Sequence, residues 1–158
     1  MASTVGTATL TVTVTEAITL NGYDQGSTNT LEIASINEVF KRIVTASTTE
    51  QEILAFGTAV ASGTFLEAKT IYLRITNLDN ANHVALTFKN EDDDEFGVKL
   101  DYGQSFIYNG DRAGGVVDTM EAAASAITPD TFADLVNITA KANTGSCELE
   151  LFVACLAP

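Results

Sequence analysis

Residues 70–109 constrain this chain more than any other stretch. They read TIYLRITNLDNANHVALTFKNEDDDEFGVKLDYGQSFIYN. Ile71, Leu73 and Ile75 alternate with Tyr72, Arg74 and Thr76. Val84, Leu86 and Phe88 alternate with Ala85, Thr87 and Lys89. Phe96, Val98 and Leu100 form a third run, and residues 105–108 a fourth. Successive side chains of a strand point to opposite faces, so period two predicts strands with one buried and one wet face. Turn residues at 77–82, 91–95 and 101–104 separate the runs, which read in order as an antiparallel β-meander.

The rest of the chain extends the same class. Residues 8–20 place Leu10, Val12, Val14, Ile18 and Leu20 on one side and Thr11, Thr13, Thr15 and Thr19 on the other. Thr is over-used here, and β-branched residues suit a pleated surface. Residues 21–27 carry turn chemistry. Residues 31–46 are ambiguous. Ile36, Val39, Phe40, Ile43 and Val44 fall at helical spacing, and Ser35 with Glu38 fits a capping box. The β-branched close at 43–45 and the neighbouring strands favour a strand covered on both faces. Residues 47–50 turn, 51–56 resume a strand, and 57–64 form a small-residue loop.

Residues 109–115 read as a flexible loop. Asp118, Thr119, Met120 and Glu121 can cap a short Ala-rich helix over 122–126, with Pro129 following. Two final strands are expected over 135–142 and 147–156. The expectation is an all-β chain, an antiparallel β-sandwich of jelly-roll-like kind, with one short helical insertion near 118–133. Its 158 residues suit one domain.

Bulk properties narrow the function. The net charge of −13 repels nucleic acid and anionic membranes. Residues 1–4 lack the basic start and apolar run of a signal peptide, and no stretch approaches the roughly 20 apolar residues of a spanning helix. The expectation is a protein used without classical secretion.

No residue constellation points to catalysis, and none to a cofactor. His83 is the only histidine, and a Gly-x-Ser-x-Gly elbow is missing. Gly110, Gly114 and Gly115 lack phosphate-loop spacing. Cys147 and Cys155 share one expected strand and would lie roughly 26 Å apart, beyond the ~7 Å a disulfide spans. They read as small buried hydrophobes. The sequon at Asn137 sits inside an expected strand. The acidic run holds a weak Ca²⁺ candidate, Asp92, Asp93 and Asp94, whose register does not fit an EF-hand. A charged hairpin tip explains it as well. Arg74 is a rare cation between Leu73 and Ile75, suited to a carboxylate on an adjacent strand.

The string Leu73-Arg74-Ile75-Thr76-Asn77-Leu78-Asp79, with Phe88-Lys89-Asn90-Glu91-Asp92 and Gly103-Gln104-Ser105-Phe106, resembles small virion proteins of tailed phages, marine and cyanobacterial ones in particular. Phe40-Lys41-Arg42-Ile43-Val44 and residues 147–154 are also similar. The resemblance implies a homo-oligomeric β-sandwich on the outside of a capsid. Its partners would be itself, as a homotrimer, and the major capsid protein, with no nucleic acid and no membrane. It would be made in the host cytoplasm. On that expectation residues 1–15 suit an arm exchanged between subunits, and Thr7, Thr9, Thr11, Thr13 and Arg74 are interface candidates. A capsid decoration (cement) role comes first. A tail or fibre component binding host carbohydrate is the alternative, with Tyr102 and Tyr108 beside the 109–115 loop as aromatic platforms.

Overall fold

The computed structural model describes residues 5–61, 63–122 and 132–157. Twelve strands occur there: β1 (Ala8–Glu16), β2 (Thr19–Leu20), β3 (Tyr23–Asp24), β4 (Ser27–Ala46), β5 (Gln51–Gly57), β6 (Thr64–Leu66), β7 (Thr70–Asn77), β8 (Val84–Asn90), β9 (Glu95–Leu100), β10 (Ser105–Asn109), β11 (Leu135–Ala142) and β12 (Cys147–Leu156). The class is all-β, as the alternation requires. No helix is present among the described residues, hence none long and apolar enough to cross a membrane.

Two five-stranded sheets carry the fold. The first runs β1-β4-β12-β7-β10 and the second β6-β5-β11-β8-β9. Every pairing is antiparallel except β5 with the short β6. Leu73, Ile75, Leu149, Leu151 and Val153 of the first sheet share one core with Leu54, Leu86, Phe88, Leu135 and Ile138 of the second. The cysteines belong to the buried row: Cys147 and Cys155 keep the parity of Leu149, Leu151 and Val153, and both are free and buried.

The meander expectation is corrected. β7 pairs with β10 and β12, whereas β8 pairs with β9 and β11. Only the 91–94 tip joins hydrogen-bonded neighbours in sequence; the turns at 78–83 and 101–104 carry the chain between sheets. Alternation is satisfied equally by a neighbour in the same sheet and by one across the core. Asn77 decides between them. It is fully buried, and its Nδ2 donates to the carbonyls of Asn82 (2.9 Å) and Leu100 (3.2 Å). Its Oδ1 accepts the Asp79 amide (3.0 Å), and its own amide donates to the Gln104 carbonyl. One side chain thereby ties both crossings together.

β4 is extended throughout, so the helical alternative for 31–46 is not adopted. Phe40 and Val44 pack on the core, but Val39 and Ile43 on the opposite face are 55% and 56% exposed, so this strand is not covered on both faces. At Ser35 the backbone turns left-handed (φ 63°) and the strand changes partner. β1 pairs with its first half, Ser27 to Ile36, and β12 with its second, Ile36 to Ala46. The 57–64 loop is also shorter than expected, because Gly57 still belongs to β5 and Thr64, the first residue of β6, pairs with Ala55 of β5.

The helical insertion near 118–133 is a second correction. Residues 123–131, which hold most of the expected 122–126 helix, lie outside the described residues. On its described flanks the chain is not helical: Asp118 has φ 51°, and Met120 bridges Ala133 through bonds of 3.0 and 2.8 Å in each direction. The capping residues serve a turn. Asp118 donates its amide to Asp134, and the Thr119 hydroxyl donates to the Val116 carbonyl. Burying Met120 against the core favours this extended closure.

Candidate functional site

The outer face of the first sheet carries the exposed chemistry of this chain. Register places Lys41, Phe152, Arg74 and Ile107 in one row across β4, β12, β7 and β10. The next rows are Ile43, Glu150, Thr76, Ser105 and Val39, Ala154, Tyr72, Asn109. At its centre Glu150 receives Arg74 at 2.5 Å and Lys41 at 3.1 Å. Arg74 also bonds the Thr76 hydroxyl, which is 2.7 Å from that of Ser105. The hydrogen bond from Arg74, and then that from Lys41, holds the Glu150 carboxyl below the usual carboxylate range. Arg74 thus finds its expected carboxylate, on a strand 76 residues away.

A two-stranded ribbon lies over part of this face. β1 and the first half of β4 form it, and Leu10, Val12, Leu31 and Ile33 join Ile71, Tyr72, Phe152 and Ala154 in a second apolar cluster. Thr11, Thr13 and Arg74 line one shallow cleft with Leu10, Val12 and Phe152. Of the interface candidates, the fold therefore brings Thr11, Thr13 and Arg74 together. Thr7 and Thr9 are exposed nearer the start of the ribbon.

The ribbon then runs past the sheet. Residues 13–25 are all exposed, and β2 and β3 pair only with each other through Thr19↔Asp24 and Leu20↔Tyr23. Asn21 and Gly22 both have positive φ, 52° and 83°. That is the type I′ geometry that an Asn-Gly hairpin takes because its twist matches the strands. Ile18, Leu20 and Tyr23 stand in solvent at 55%, 59% and 72% exposure. The apolar alternation of residues 8–20 signalled the ribbon, but not that its far half lacks cover.

The other candidate positions make contacts within the fold. Asn90 is buried, and its Oδ1 accepts the amides of Asp92 (3.1 Å) and Asp94 (2.8 Å), shaping the acidic tip. Asp93 pairs with Lys89 at 2.6 Å. No group of three His, Cys, Asp or Glu side chains placed to hold a metal ion occurs among the described residues, so Asp92, Asp93 and Asp94 do not converge on one. His83 precedes β8 and offers its carbonyl to the Asn143 amide. Asn137 lies in β11 and donates to Glu52.

The 109–115 loop is closed by reciprocal Asp111–Gly115 backbone bonds and by Asp111 Oδ2 accepting from Ala113 and Gly114. Gly115, at φ 66°, sits where a Cβ would strike the Glu67 carbonyl, which explains the glycine without a phosphate. Tyr108 is not a platform. Its ring packs on the core, its hydroxyl donates to the Thr119 carbonyl, and burial pushes its pKa up. Tyr102 is 56% exposed.

No known family model matches this chain, and neither does any characterised protein sequence or solved structure.

Proposed function

We propose that this protein is a non-enzymatic structural component of a tailed-phage virion, a decoration (cement) protein that binds the assembled head as a homo-oligomer. The observation that carries this reading is strand order. Eight strands divide between two layers, β4-β12-β7-β10 and β5-β11-β8-β9, and every step along the chain among them crosses layers except β8 to β9. That order supports the reading of a jelly-roll β-sandwich, an architecture frequent in capsid and lectin domains. The resemblance of residues 73–79 and 88–92 to small virion proteins points the same way, and fold alone would not assign a role. An acidic surface complements basic patches on a coat. A ligand that binds only the assembled shell stabilises it by mass action, so such a protein opposes rupture without doing chemistry.

The test is to mix the purified protein with undecorated phage heads and measure co-sedimentation and the temperature of head rupture. Saturable binding and a raised rupture temperature are expected. No co-sedimentation and no shift would overturn the reading. The tail or fibre alternative loses its Tyr108 platform and keeps Tyr102 alone.

A further inference from the structure

The ribbon has an uncovered apolar end, and the body has an uncovered apolar groove of opposite charge. The groove lies at one edge of the two layers, where β4 of the first sheet faces β5 and β6 of the second. Its volume is about 380 Å³. Phe40, Ile53, Val60 and Phe65 give it an apolar lining, with the Phe40 and Phe65 rings edge-to-face at 5.3 Å. Val60 at its rim is 82% exposed. Arg42 and Lys69 also line it, against one acid, Glu38. Two of the 8 cations of a chain with net charge −13 are therefore gathered in one groove.

The ribbon is the electrostatic reverse. Residues 5–34 hold Glu16, Asp24 and Glu32 and no Lys or Arg. Asp24 is fixed beside Tyr23 because its Oδ1 accepts the Gly26 amide at 2.8 Å. A two-stranded ribbon by itself is marginally stable in water, and the exposed Ile18, Leu20 and Tyr23 at its end call for a surface to cover them.

We propose that the Tyr23–Asp24 tip of one copy docks in the Phe40–Phe65 groove of the next, with Asp24 facing Arg42 and Lys69. The Tyr23 ring extends the aromatic pair on the groove floor, where aromatic contacts favour edge-to-face or offset geometry. Tip and groove are different surfaces, so the contact is heterologous and closes into a ring when the rotation between copies allows. The proposal rests on the self-association in the reading above and is independent of its virion part.

Light scattering and sedimentation of the purified chain at micromolar concentration test it, alongside two variants. Tyr23→Ala with Asp24→Lys removes the tip, and Arg42→Glu with Lys69→Glu reverses the groove. Both pairs lie outside the common core, and far-UV circular dichroism with thermal melting checks that each variant keeps the wild-type fold. The wild type is expected to be oligomeric and each variant monomeric, with self-association weakened about tenfold or more, as for loss of an interface anchor. Mixing the two variants pairs an intact tip with an intact groove and is expected to yield a dimer and nothing larger. A wild-type oligomer whose mass survives both variants overturns this inference and leaves self-association standing. A monomeric wild type overturns both. If a variant melts early, the mixing result decides: no dimer from two folded partners overturns the contact.

Discussion

The ring of Phe88, on β8 of the second sheet, lies 5.8 Å from that of Tyr108, on β10 of the first, with their planes 14° apart. Phe88 also stacks on Phe96 at 4.7 Å and touches Phe106 at 5.1 Å. Two runs that look like the second and fourth strands of one meander meet instead across the core, and Phe88 is the pin between layers. Phe88→Ala is expected to cost about 3–5 kcal/mol, the range for a buried aromatic lost to a cavity. Tyr108→Phe keeps the ring and loses only its hydroxyl bonds, so it is expected to cost about 0.5–1.5 kcal/mol. Urea unfolding followed by circular dichroism measures both. Equal losses would mean that Tyr108 matters chiefly through its hydroxyl.

Asn77 is the polar counterpart of that pin. Asn77→Ala strips the carbonyls of Asn82 and Leu100 and the Asp79 amide of a partner in a buried setting. Each orphaned group costs about 1–3 kcal/mol. Amide hydrogen exchange is expected to speed up at both crossings, 78–83 and 101–104, though they are separate in sequence. Acceleration at one crossing alone would refute the shared tie.

Two carboxylates are expected to shift stability with pH in opposite directions. Glu150 has a folded pKa below its ordinary 4.5 because of Arg74 and Lys41. Its contribution is complete above about pH 4.5 and is lost as pH falls through the folded value. Glu67 is buried, and desolvation, then Asp134 and Glu91, raise its folded pKa above 4.5. It lowers stability at neutral pH, and that penalty disappears as pH falls through the raised folded value toward 4.5. Glu150→Gln is therefore expected to be less stable than wild type at pH 7, with the gap closing in acid. Glu67→Gln is expected to be more stable at pH 7, with its advantage vanishing near pH 4.5. Melting temperatures from pH 3 to 8 decide, and a same-signed pair at pH 7 would contradict the assignment.

Burial pushes both thiols, Cys147 and Cys155, above their ordinary range. The thiolate is the reactive form. Neither cysteine is expected to react with a thiol-specific disulfide reagent at pH 8 until the protein unfolds, when both do. Rapid modification of the folded protein would show that one end of β12 opens readily.

Much of this architecture is legible in the chain. Alternation marks β7, β8, β9 and β12, and the inward row Cys147, Leu149, Leu151, Val153, Cys155 follows from parity alone. Asn21-Gly22 announces a tight hairpin, because few residue pairs accept positive φ twice. The acidic residues at 91–94 are a tip, as their charge suggests, and Glu95 already opens β9. The short β6 was not legible, since three residues carry no period. The outer-face triad was half legible: Arg74 called for a carboxylate, but nothing local singled out Glu150 among 21 acidic residues.

What the chain determined by itself is local: which residues extend, which side of each strand is apolar, and where the backbone turns. These follow from a period of two and from the φ preferences of single residues. Pairing was decided only in three dimensions. Leu73 presents the same alternation whether its neighbour is Val84 in one sheet or Val153 beside it and Phe88's layer opposite. Sheet membership depends on contacts between residues far apart in sequence, such as Asn77 with Leu100 and Arg74 with Glu150. The ribbon shows the same division. Its apolar alternation is written in residues 8–20, but whether that stripe lies on Tyr72 and Phe152 or stands clear of the sheet depends on the bend at Ser35, which no periodicity records.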